Sequence, residues 1–123
     1  MSTAETIGTE YFNAWSSKDV SKATEFLTDD VEVFAPNGTF TGHDGYHEFM
    51  DFFVGLVTHV DDFVIHGDDQ TATVWYNTHL QMVDSLVAGE LLTLRGDKIA
   101  RINITFDQMP LAQAFGGSAP EHK

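Results

Sequence analysis

The sequence predicts one α+β domain in which helices come first and an antiparallel sheet follows. Apolar residues recur at spacings of three and four as far as Leu56, and from Val60 onward they alternate with period two. The 123 residues leave room for a single core. A run of helices followed by a run of strands, rather than the two interleaved, sets the helices against one face of the sheet.

Ser2 and Glu5 have the form of a capping box, and Ile7, Tyr11, Ala14 and Trp15 follow at helical spacing, which predicts the first helix. Asp19 is placed to cap a short second helix carrying Val20, Ala23 and Leu27 on one side, ended by Thr28-Asp29-Asp30. Val31 to Phe34 reads as a strand that Pro36-Asn37-Gly38 turns back into Thr39 to Thr41. Gly42-His43-Asp44-Gly45 leads into a third helix with one stripe of Tyr46, Phe49, Phe53 and Leu56. Four antiparallel strands are then expected at Val60 to His66, Thr71 to Met82, Ser85 to Arg95 and Lys98 to Asp107. Pro110 closes the last of them, and Leu111 to Phe115 are expected to form a helical turn. The domain is thus set at 1–117, with 118–123 a disordered tail. Strands of eleven or twelve residues twist and bend, so the sheet is expected to curl around the helices and leave a pocket at its wide end.

Composition excludes several functions. Nineteen acidic residues against six basic ones give a net charge of −13, which repels phosphate backbones and anionic headgroups, so neither nucleic acid nor a membrane surface is expected as a partner. The absence of Cys removes disulfides, thiolate nucleophiles and thiolate-bound metals. No secretory signal and no apolar run of about 18 residues is visible, so cytoplasmic residence is the default expectation. His43 and His47 have the i, i+4 spacing of a metal pair with Glu48 adjacent, but they lack a third ligand, and no metal or cofactor is expected. No phosphate-binding glycine loop or Ser–His–Asp spacing occurs.

Asp19-Val20 through Thr28-Asp29-Asp30-Val31-Glu32-Val33-Phe34-Ala35-Pro36 resembles the ketosteroid isomerase segment from second helix to first strand. Gly89-Glu90-Leu91-Leu92-Thr93-Leu94, Lys98-Ile99 and Thr105-Phe106-Asp107 resemble the ending of limonene epoxide hydrolases. The chain from Tyr11 to Phe115 is in this way similar to the nuclear-transport-factor-two-like superfamily, which includes both groups and the SnoaL-type cyclases. The resemblance implies a cone-shaped, cystatin-like sheet wrapped around the N-terminal helices, a homodimer, and a pocket for a small apolar carbonyl-type ligand.

The resemblance puts Tyr11 where the isomerase has its oxyanion-hole tyrosine and Glu90 where it has a carboxylic acid kept protonated. Ala35 stands in the place of the isomerase base, and His79, Asn77 and Ile104 stand where the hydrolase has its water-activating Asp–Arg–Asp set. Along Thr71 to Met82 two alternating sets compete for the interior, and both contain apolar members. The resemblance favours the set with Trp75, Asn77 and His79, facing Ala88, Glu90, Leu92 and Leu94 on the next strand. The site expected on that register has His79 as the proton-moving base, with Tyr11 and Glu90 as hydrogen-bond donors to a developing enolate. Trp15, Phe49, Phe53, Trp75, Asn77 and Phe106 would line the ligand. The function expected is a cofactor-independent isomerase, lyase or cyclase. The alternative is a ligand-binding or dimerisation module of the same fold.

Overall fold

The capping box at the start of the chain forms as expected. In a computed structural model describing residues 2–110, the Glu5 amide donates to Ser2 Oγ at 3.3 Å and the Ser2 amide donates to Glu5 Oε1 at 3.2 Å. They open α1 (Thr3–Ser16), which buries Tyr11, Phe12, Ala14 and Trp15 along one side. Asp19 accepts from the Lys22 amide at 3.0 Å and caps α2 (Val20–Thr24). The helical turn expected at Leu111 to Phe115 and the tail at 118–123 lie outside the described residues.

Strand β1 (Leu27–Ala35) begins four residues before the Val31 expected from the sequence. Thr28, Asp29 and Asp30 do not stop a helix: they run through an irregular stretch of β1, because buried Leu27 already pairs with Ile99. After β2 (Gly38–Thr41), α3 (Gly42–Leu56) buries Tyr46, Phe49, Met50, Phe53 and Val54. The single strand expected at Val60 to His66 is two short strands, β3 (Val57–Val60) and β4 (Val64–Gly67), separated by Asp61, Asp62 and Phe63. Then come β5 (Thr71–Leu80), β6 (Leu86–Arg95) and β7 (Lys98–Phe106), each within one or two residues of its expected limits.

The curved sheet runs β2-β1-β7-β6-β5-β3, with β4 also on β5. Its pairs are antiparallel except β1 with β7, which is parallel and which local patterning did not reveal. The helices cover one face. At Gly8 the first helix approaches so closely that a Cβ would lie 2.9 Å from Ile65 Cδ1 and 3.1 Å from Leu92 Cδ1, so only glycine allows this spacing without displacing them. Phe12 is the hub of the core, in ring contact with Trp15 (4.7 Å), Phe63 (4.3 Å) and Tyr76 (4.8 Å).

Candidate functional site

The register of β5 decides which polar groups are inside. Ala72, Val74, Tyr76, Thr78 and Leu80 are the buried set, and Trp75, Asn77 and His79 lie on the outer face of the sheet. This corrects the expected site. The set facing the helices is apolar except for Thr78, whose hydroxyl donates to Leu86 O at 2.9 Å, whereas burying the other set would have desolvated Asn77, His79 and two threonines. Trp75 is 61% exposed, so neither it nor Asn77 lines the interior, and His79 does not reach it as a base.

Glu90 is interior as expected, 5% exposed between its cross-strand partners Val74 and Ile104. Its carboxylate accepts a short hydrogen bond from the Tyr76 hydroxyl. Burial raises its pKa from 4.5 to about 7, and the Tyr76 hydrogen bond opposes that rise only in part. Tyr11, also interior, accepts from the Tyr46 hydroxyl at 2.9 Å. Burial holds the Tyr11, Tyr46 and Tyr76 phenols above the usual range, and the Glu90 charge adds to the shift of each, so the four groups form one electrostatic cluster. Trp15 and Phe53 (5.9 Å apart) and Phe49, stacked on Phe53, wall this interior, while Phe106 is only partly buried at its edge. The Trp15 indole N–H is buried without an acceptor. Tyr11, Trp15, Tyr46 and Tyr76 are each 1% exposed, so in this conformation the cluster is closed to solvent.

Tyr46 and Tyr76 were missing from the sequence-derived site. Tyr46 was legible only as part of an apolar helical stripe. Tyr76 belongs to the half of β5 that the resemblance turns outward, and the structure buries it.

Outside, a second polar cluster joins the sheet edge to a turn. His79 Nε2 and His59 Nε2 lie 3.0 and 3.1 Å from the two oxygens of Asp61, Asn77 donates to Asp61 at 3.1 Å, and His79 Nδ1 is 2.6 Å from Asp84 O. His47 pairs with Asp51, not with His43, and among the described residues no three potential ligands are arranged to hold a metal ion. Beside the outer cluster a groove of about 450 Å³ crosses the outer face, lined by Val64, His66, Trp75, Leu91, Asn103 and Thr105. No helix among the described residues is long and apolar enough to cross a membrane.

A curved sheet of seven strands over N-terminal helices is the architecture of the nuclear-transport-factor-two-like class, and the comparisons agree. A family profile for the SnoaL-like domain matches residues 9–102. The chain belongs to the SnoaL-like domain family. Its fold is similar to that of a crystallised protein from Kribbella flavida, at 28% identity and TM-score 0.88 over 93% of this chain and 94% of that one. It is also similar to a protein designated a polyketide cyclase from Xanthomonas campestris, at 18% identity and TM-score 0.79 over 91% and 96% of the two chains. A protein designated a ketosteroid isomerase, again from Kribbella flavida, superimposes with TM-score 0.75 at 18% identity over 85% and 78%. At such identities the last two speak for the fold alone. No curated protein matches the chain.

Proposed function

We propose that this SnoaL-like domain moves a proton at a carbon next to the carbonyl of a small apolar compound, with Glu90 as the group that takes and returns it. The observation that carries the reading is a carboxyl 5% exposed, hydrogen-bonded by a tyrosine and brought to a pKa of about 7, where a general acid–base group exchanges protons most effectively near neutrality. Ionised Glu90 would remove the α-proton, and the electron pair would move onto the carbonyl oxygen. Tyr11 is the donor for that oxygen. Because Tyr46 already donates to the Tyr11 oxygen, the remaining Tyr11 proton is polarised toward an acceptor. Protonated Glu90 would then return the proton to the same or a neighbouring carbon, so the cycle needs no cofactor.

The test is deuterium incorporation from heavy water into an apolar cyclic ketone. Wild type should exceed Glu90→Gln by roughly a hundredfold or more, the range of general-base catalysis. His79→Ala should exchange at least as fast as wild type, because His79 lies on the outer face and is not the base. Equal rates for wild type and Glu90→Gln, with the ketone bound, would move the chain to the ligand-binding alternative.

A second reading concerns assembly and is compatible with the first. Trp75, Val64, Val87 and Leu91 are 61%, 53%, 42% and 39% exposed on one face of the sheet, an exposed apolar group of the kind that marks an interaction surface. The occupant we favour is a second copy of this chain, giving a homodimer in which the two outer faces pack on each other.

A further inference from the structure

The interior around Glu90 is closed, and the sheet edge beside it is broken between β3 and β4. Both strands pair with β5, Val60 opposite Thr78 and Val64 opposite Trp75, so three residues, Asp61, Asp62 and Phe63, span the two positions Tyr76 and Asn77. The extra residue makes a bulge over Tyr76, the residue whose hydroxyl holds Glu90. Phe63 turns inward there against Phe12 at 4.3 Å, and Phe12 meets Tyr76 at 4.8 Å. A row of contacts therefore runs from the strap through Phe12 and Tyr76 to the buried carboxyl.

The strap is fastened from outside. The Asp61 amide donates to Asn77 O at 3.0 Å, and the Asp61 carboxylate receives His79, His59 and Asn77. His79 faces two acceptors that bring no proton, the Asp84 carbonyl at Nδ1 and the Asp61 carboxylate at Nε2, so both contacts hold only when both ring nitrogens carry hydrogen. The charged and titratable groups facing this ring are Asp61 and His59 from the sheet edge and Asp84 from the β5–β6 turn.

We propose that Asp61, Asp62 and Phe63 form a strap closing the route to the Tyr76–Glu90 pair, and that doubly protonated His79 is its latch. The inference rests on the reading of Glu90 as the reacting group, and gives that site a regulator on the opposite side of the sheet. The sign follows from the contacts: the Asp61 carboxylate and the Asp84 carbonyl both favour the imidazolium and raise its pKa above the ordinary 6.5, so the latch is closed below that value and released as the pH rises through the raised one.

The experiment needs no ligand. Trp75→Phe leaves Trp15 as the single tryptophan, buried beside Phe12. Acrylamide quenching of its fluorescence should rise roughly threefold or more between about pH 6 and about pH 9, under conditions where urea titration shows the chain folded. Adding His79→Ala should give the high value at both pH values, and Phe63→Ala should do so with His79 intact. Quenching that stays low and flat in the Trp75→Phe chain overturns the latch, even if the histidine variant fails to fold. That outcome leaves the Glu90 exchange assay unaffected, so the two readings fail separately.

Discussion

Tyr76 sits diagonally across the β5–β6 ladder from Glu90, whose direct partner is Val74, and its hydroxyl is the hydrogen bond that the buried carboxyl receives. Diagonal neighbours on one face of a sheet are within reach of a long aromatic side chain. The pair therefore follows from strand register, and neither residue can be moved by one position without breaking it.

Replacing Tyr76 with Phe should push Glu90 further up. The hydroxyl favours the ionised form, so its removal leaves burial unopposed and the pKa moves above about 7. Carbon-13 NMR titration of the Glu90 carboxyl checks this; an unchanged midpoint would show that Tyr76 does not govern the group.

Glu90→Gln should flatten the dependence of stability on pH. The folded-state value lies above the unfolded one, so the folded chain holds the extra proton and its advantage is fully present below about pH 4.5, then declines as the pH rises through about 7. A difference of about 2.5 units corresponds to about 3 kcal/mol at pH values above that window. Urea unfolding at about pH 5 and about pH 8 should show wild type losing most of that amount relative to the Gln variant.

Trp75→Glu should separate a homodimer into monomers while leaving the fold intact, because the indole is 61% exposed and its loss opens no cavity in the core. Sedimentation equilibrium reads the outcome directly. Wild type that sediments as a monomer at the highest concentrations tested would dispose of the second-copy reading.

Much of the fold was legible because local signals and tertiary packing agree. Ser2 and Glu5 cap α1, Asp19 caps α2, and the Tyr46, Phe49, Phe53 stripe is the buried side of α3. Glu90 was placed inside correctly, since its set on β6 includes the fully buried Ala88 and Leu92. On β5 both alternating sets contain apolar members, Trp75 in one and Val74, Tyr76 and Leu80 in the other, so alternation left the choice open and the resemblance pointed to the set that lies outside. The bulge at Asp61, Asp62 and Phe63 is marked in the sequence only by two consecutive aspartates, poor strand formers, and its extra residue is visible only once both flanking strands pair with β5. The parallel pairing of β1 with β7 joins distant segments, which no window along the chain can register.

That parallel pair also governs the order in which the molecule can assemble. Strand β7 lies between β1 and β6, so the β1–β2 hairpin has no neighbour on its inner edge until the last strand of the described chain is present. A ribosome-bound chain that has emerged as far as β6 holds two sheet fragments with facing unpaired edges, and joining them closes a loop that spans most of the sequence. Completion must therefore wait for Lys98 to Phe106, and until then the unpaired edges of β1 and β6 are open to pairing with another chain.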